Sequence, residues 1–299
     1  MSCKTSNCSI TYFSLFLVLT LAVLTGCASM NSGSKARISF TPVTSEPTDI
    51  YHPGKIVWHD LVTPDPAAAR KFYGELFGWT FRDNGNYTEI FNGKKKIGGI
   101  VQLKPKKGQK TLAAWLESMS VPDVDKAISY IKSKGGKVVN GPVDMPKRGK
   151  GALVQDPSGA YLVVLHAYGG DPPDEVAPIG EWLWNEMWTM YLETTSWFYK
   201  GLGQYESAMK GPDYVVFISE GKWRVGIRQI KQRDYSGRWV PVVRVKNPGA
   251  MLGRVKELGG IVLLKPGEGS ASKDGALITD NTGALLILQR WTYPERKEP

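Results

Sequence analysis

Short apolar runs broken by turn residues recur along the chain, and their spacing predicts elements. Lys55–Val62 is short, mostly apolar and closed by Thr63-Pro64-Asp65-Pro66, which predicts a strand. A helix follows, with Asp65 as cap, Pro66 in its first position and Ala68, Phe72, Leu76 and Phe77 on one face before Gly78 ends it. Three short strands come next, around Phe81, at Tyr87–Phe91 and at Ile97–Leu103, with turns at Asn84-Gly85 and Asn92-Gly93. The cycle then restarts with a strand over Leu112–Val121, a helix over Val124–Lys134 and a stop at Gly135-Gly136. Strands near Lys137–Val139, Ala152–Gln155 and Tyr161–His166 complete it. The pattern is βαβββ, twice.

It then repeats as a whole. Gly151–Leu165 (GALVQDPSGAYLVVL) is answered by Gly275–Leu288 (GALITDNTGALLIL), 124 residues later. Trp58–Tyr73 (WHDLVTPDPAAARKFY) is answered by Trp184–Tyr199 (WNEMWTMYLETTSWFY), and Tyr130–Val139 by Arg254–Leu263. The expected organisation is a first domain over 51–168, a Pro-rich linker over 169–180, a second domain over 181–293 and a charged tail over 294–299. The fold class is α+β, and site chemistry should occur twice or have been lost in one copy.

The amino terminus reads as an address. Lys4, an apolar stretch from Ile10 to Leu24 and then Leu-Thr-Gly-Cys27 form an export signal over residues 1–26, shorter than a membrane span of ~20 residues. The ending resembles the lipobox of bacterial lipoproteins. That resemblance implies cleavage before Cys27, lipidation of Cys27 and a periplasmic protein anchored to the membrane, with Ala28 leaning towards the outer one. The other cysteines, Cys3 and Cys8, lie in the removed segment, so no internal disulfide forms. Residues 27–50 are polar and aperiodic and are expected to be a flexible tether. The formal charge is +10, concentrated in Lys94–Lys110. This is either a basic face towards anionic lipid or solvated hairpin ends. No aromatic-spaced basic motif supports nucleic acid as a partner.

In this order, and twice, these motifs resemble the vicinal oxygen chelate superfamily of glyoxalases, bleomycin-resistance proteins and extradiol dioxygenases. They are the strand–Asp–helix–Phe-Tyr–Gly-Trp opening, Val-Pro-Asp-Val-Asp before the second helix, Lys-Gly-Gly at its end and Asp-Pro-Ser-Gly-Ala before the last strand. The tandem glyoxalase-like subgroup is most similar. The resemblance implies tandem domains, each made of two βαβββ modules that form one concave mixed sheet. It also implies a divalent metal held in the cleft by His or Gln, Glu, His and Glu from the first, fourth, fifth and eighth strands. Here those positions fall on Trp58, Leu116 and Val163 in the first copy, and on Trp184, Val240 and Ile287 in the second. Only Gln102 and Gln229, near the ends of the fourth strands, could donate. A shifted reading brings His59 and His166 together across the first cleft, although residue parity sets His166 off the face of Val163.

No metal and no other cofactor is therefore expected, and whether the chain is an enzyme stays open. Two Ser-x-x-Lys spacings, at Ser129 and Ser270, lack the companion motifs of an acylation site. Alternation places Trp58, Asp60, Leu116, Ser118 and Val163 in the first cleft, and Trp184, Glu186, Trp188, Val240, Val242, Ile287 and Gln289 in the second. Each cleft is then an apolar, aromatic surface with one carboxylate. That surface suits a small molecule or envelope component, and Asp60 or Glu186 could hold a cation beside an indole. It equally suits a filled core, above all in the second copy, where seven of the ten tryptophans lie between Trp182 and Trp291. The oligomeric state is not set by the sequence.

Overall fold

A computed structural model describes residues 38–104, 113–232, 235–269 and 271–293. The first domain runs β1 (Ile56–Thr63), α1 (Pro66–Phe77), β2 (Thr80–Asn84), β3 (Tyr87–Asn92), β4 (Lys95–Gln102), β5 (Ala114–Ser120), α2 (Val124–Ser133), β6 (Lys137–Met145), β7 (Gly149–Gln155) and β8 (Tyr161–Ala167). The second repeats it as β9 (Trp182–Thr189), α3 (Leu192–Leu202), β10 (Ser207–Lys210), β11 (Tyr214–Ser219), β12 (Lys222–Gln229), β13 (Arg238–Arg244), α4 (Pro248–Glu257), β14 (Ile261–Leu264), β15 (Gly275–Thr279) and β16 (Leu285–Gln289). The expected βαβββ modules are all present. Asp65 caps α1 by accepting from the Ala68 N–H, and Gly78 closes it in the left-handed region. At the same place α3 begins with Tyr191 and has no side-chain cap.

Each domain is one eight-stranded mixed sheet, ordered β2-β3-β4-β1-β5-β8-β7-β6 and β10-β11-β12-β9-β13-β16-β15-β14. In each, the first strands of the two modules join the halves antiparallel, β1 with β5 and β9 with β13. The helices lie on one face and leave the other as a cleft.

The helical faces of the two domains pack against each other, α1 beside α4 and α2 beside α3. Two apolar clusters fill the space between the sheets. One joins Met119, Ile128, Ile131 and Val164 to Phe198, Phe217 and Ile227; the other joins Leu61, Phe72 and Ile90 to Val243, Val255 and Leu286. Burial of this kind contributes about 25 cal/mol per Å² and is the main force holding the domains together.

The repeated motif of the sequence is a reciprocal lock across this interior. Asp156 Oδ1 accepts the Ser158 and Ala160 N–H groups of its own turn, and Asp156 Oδ2 accepts the Tyr199 hydroxyl of the other domain at 2.8 Å. Asp280 does the same, accepting the Thr282 and Ala284 N–H groups and then the Tyr73 hydroxyl at 3.0 Å. Trp115 donates to the Tyr73 oxygen and Trp239 to that of Tyr199. A buried carboxylate needs such partners.

Two expectations change here. Residues 27–37, with Cys27, lie outside the described residues, but 38–50 are tied to the first domain rather than a free tether, buried around Val43 and held at Thr48 and Asp49 by the Gly169 carbonyl. Val43 is 1% exposed, and Thr41 and Thr44 are buried. The stretch carries Phe40, Pro42 and Val43, apolar enough to leave water although aperiodic. His59 and His166 do not meet. The row through His59 and Glu117 reaches β8 at Leu162, and His166 lies four residues beyond it. His59 Nε2 donates to Asn185 Oδ1 at 2.7 Å between the domains, and its ring stacks on Trp182. His166 stacks on Tyr51.

Candidate functional site: two clefts with one floor plan

The register places Trp58, Ser118 and Val163 abreast on the concave face of the first sheet, with Asp60 and Leu116 one row on. In the second sheet Trp184, Val242 and Ile287 are abreast, with Glu186 and Val240 one row on. Of the expected second-cleft residues, Trp184, Glu186, Trp188, Ile287 and Gln289 line an open cavity of about 1500 Å³. Val240 does not, because it is wholly buried beneath its neighbours.

The floor of each cleft is a hydrogen-bonded cluster of Trp, Tyr, carboxylate and Arg. In the first, Asp60 Oδ1 accepts from Trp58 Nε1 at 3.0 Å and from the Tyr87 hydroxyl at 2.5 Å. Arg148 Nη1 donates to Asp60 Oδ2 at 2.8 Å and Arg148 Nη2 to the Tyr87 oxygen at 2.7 Å. In the second, Glu186 Oε1 accepts from the Tyr214 hydroxyl at 2.9 Å and from Arg228 Nη2 at 2.9 Å. Its Oε2 accepts from Trp188 Nε1 at 2.7 Å and from Arg228 Nε at 2.8 Å, while Trp184 donates to the Tyr214 oxygen. Burial pushes the Tyr87 phenol well above its ordinary range. Burial and then the Glu186 charge do the same for Tyr214, so both remain donors.

Glycine makes room for these phenols. A Cβ on Gly99 would lie 1.8 Å from the Tyr87 oxygen, and one on Gly226 would lie 2.1 Å from that of Tyr214. The sequence carries the signal as Gly-Ile-Val and Gly-Ile-Arg at matching points of the fourth strands. The arginines have no such signal. Arg228 stands on β12, whereas Arg148 enters from the turn between β6 and β7, so the same charge is supplied from opposite halves of the two sheets.

The floor does not suit a metal. Glu186 already accepts four donors, which fills its lone pairs, and Asp60 accepts three. Each carboxylate is neutralised by a guanidinium, and His59, which borders the cavity, turns its ring to Asn185 and Trp182. This also removes the expected role of Asp60 or Glu186 in holding a cationic ligand. His52, Asp174 and Glu220 do bring three ligand atoms within 4.8 Å of one another. Cations of the protein already fill that place, since Asp174 pairs with Lys55, Lys222 and Arg224 at 2.8–2.9 Å. Burial opposes ionisation of Asp174, but hydrogen bonds from Lys222, Lys55 and Arg224 prevail and hold its pKa below the usual carboxylate range.

What differs is the covering. Over the first floor lie Phe40, Thr41 and Val43. Arg148, 2% exposed at its side chain, stacks its guanidinium on Phe40, Trp58 and Tyr87 at 4.8, 5.0 and 5.1 Å. Over the second lies open space walled by Trp184, Trp188, Tyr214, Trp223 and Trp291, with Leu264, Leu277 and Gln289 at the far side. Trp223 is 51% exposed and Trp291 37%, with ring centroids 6.4 Å apart.

Residues 55–164 match the model of the Glyoxalase/Bleomycin resistance protein/Dioxygenase superfamily. The match covers the first domain, and the second repeats its strand order. It is 26% identical over 246 residues to CFP32 of Mycobacterium bovis, named as a candidate glyoxylase, covering 79% of this chain and 94% of that one. It is 25% identical over 265 residues to the anthracycline biosynthesis protein DauV of a Streptomyces species, covering 82% and 96%. Among solved structures, the Mn(II)-bound glyoxalase from Novosphingobium aromaticivorans superposes with a TM-score of 0.56 at 12% identity, over 81% of this chain and 83% of the other. That likeness concerns the fold.

Proposed function

We propose that this superfamily member binds a flat, largely apolar small molecule in its second cleft, without a metal, while Cys27 anchors it by lipid in the bacterial envelope. One observation carries the reading: the second cleft is open and walled by indoles, yet the Glu186 carboxylate on its floor is saturated by donors of the protein itself. Such a surface offers ring faces for stacking, apolar area to bury and the Gln289 amide to orient the ligand. A relative named for anthracycline biosynthesis directs the first choice of ligand to fused aromatic rings.

The purified protein titrated with a panel of polycyclic aromatic compounds should show quenching of tryptophan fluorescence at one site. Trp184→Ala and Trp223→Ala should each weaken binding by roughly 1–3 kcal/mol, the range for an aromatic contact at the centre of an interface. Metal analysis of the same sample tests the alternative, a lyase or dioxygenase with an unconventional site. A stoichiometric divalent metal that is lost in Glu186→Ala would overturn the metal-free reading. Separately, Cys27→Ser should move the protein from the membrane fraction to the soluble periplasm.

A further inference from the structure

The first cleft holds a piece of its own chain, and the way it is held is that of a ligand. Arg148 Nε donates to the Thr41 carbonyl at 2.9 Å, and the same guanidinium covers the Phe40 ring. Val43 inserts among Trp58, Met145, Leu165 and Ala167 on the concave face. The segment is pinned at both ends. Asn86 Oδ1 accepts the Ser39 N–H and Asn84 Nδ2 donates to the Ser39 carbonyl, while the Gly169 carbonyl accepts the Thr48 N–H at 2.7 Å. Between these pins, side-chain pockets and one carbonyl clamp do the recognising. No strand ladder joins the segment to the sheet among the described residues.

We infer that the first cleft is a peptide-binding site and that residues 40–44 are its resident ligand. It reads a short segment with an aromatic residue, a backbone carbonyl for Arg148 on the next residue and a β-branched residue two further on, as in Phe40-Thr41-Pro42-Val43. One Val side chain in an apolar socket and one charge-assisted hydrogen bond are what make such a site selective. Holding the segment fixes where the N-terminal part of the chain leaves the folded body, at the rim beside Asn84 and Asn86.

The test uses the full chain with Val43→Asp, which puts a charge into the socket, and a labelled peptide of residues 38–45. In Val43→Asp the segment should be released, so that a protease specific for aromatic residues cuts after Phe40, and the peptide should then bind in trans at one to one. The wild-type chain, already occupied, should bind it at least about tenfold more weakly. A peptide carrying the same Asp should not bind the variant. The milder Val43→Ala, which leaves a cavity but no buried charge, should give an intermediate result. The inference fails if Val43→Asp stays as resistant as the wild type to cleavage after Phe40. It fails equally if the segment is released in either variant and the wild-type peptide does not bind.

Discussion

The two clefts share a floor and differ in what lies above it. Both have a tryptophan and a tyrosine donating around one carboxylate, and both neutralise that carboxylate with an arginine. In the first, the arginine arrives from the β6–β7 turn, is shut in with Phe40 and Val43, and becomes part of a core. In the second, it stands on the sheet itself, with its side chain 27% exposed, and the space above stays open. The same cluster is thus an internal ion pair in one domain and the base of a pocket in the other. The Trp, Tyr and carboxylate recur at matching positions while the arginine comes from different ones, and the covering segment sets the use of the cluster.

The largest effect should come from breaking the enclosed pair. Arg148→Ala strands the Asp60 charge in a buried site, and loss of one partner there costs about 3–5 kcal/mol. Arg228→Ala removes a guanidinium whose side chain is 27% exposed, so water can take its place beside the buried Glu186 carboxylate, and the cost should be smaller, about 2 kcal/mol. Urea unfolding of both variants measures the difference. Equal losses would mean that the two floors are equally enclosed, and the comparison would fail.

A second asymmetry lies on the helical faces. Glu117 on β5 is wholly buried, and neither carboxylate oxygen has a partner from another residue; the corresponding position opposite Asn185 is Pro241. Burial pushes the Glu117 carboxyl up to about 8 from its ordinary 4.5, so it is protonated in the folded protein at neutral pH. The folded state therefore holds a proton that the unfolded state has released. Stability on this account is full below pH 4.5 and is lost as pH rises through 8. Glu117→Gln should flatten that decline, worth a few kcal/mol between pH 5 and 9 by order of magnitude. Burial lowers His59 to about 4, and its contribution runs the other way, being lost as pH falls from 6.5 through 4. Melting temperatures of the wild type and Glu117→Gln across this range separate the two groups. A decline unchanged in Glu117→Gln would show that the carboxyl is not the cause.

Where the copies are symmetric, substitutions should be too. Tyr73→Phe and Tyr199→Phe each remove one hydrogen bond to a buried carboxylate, at 3.0 and 2.8 Å. Each should cost about 1.5–3 kcal/mol, and the two costs should agree within about 0.5 kcal/mol. A large difference in chemical denaturation would show that the lock is held from one side.

The module pattern, the repeat and the concave rows were legible because strand alternation and helix caps are local. Trp58, Asp60, Trp184 and Glu186 fall on the face that alternation assigned them. The arginines were not legible, because one reaches its carboxylate from a hairpin 88 residues away in sequence. Nor was the packing of 38–50, whose apolar residues show no period and whose partner surface exists only after the sheet has formed. Tyr73 and Tyr199 lie within α1 and α3, while their hydroxyl partners lie in the other domain. Local pattern fixes which face a residue takes, and long-range assembly fixes what it meets there.

The smallest effect on stability is expected at the open rim, and it sharpens the comparison most. Trp223 is half exposed, and its ring neighbours are Trp184 at 6.2 Å and the partly exposed Trp291 at 6.4 Å. Trp223→Ala removes no core contact, so its stability should stay within about 0.5 kcal/mol of wild type. Phe40→Ala, on the rim of the closed cleft, uncovers Arg148 and should cost more than that. If Trp223 proves as costly to remove as Phe40, its indole belongs to a packed interior and the second cleft is no more open than the first. If it is nearly free to remove while ligand binding is lost, the exposed indole is kept for a partner outside the chain.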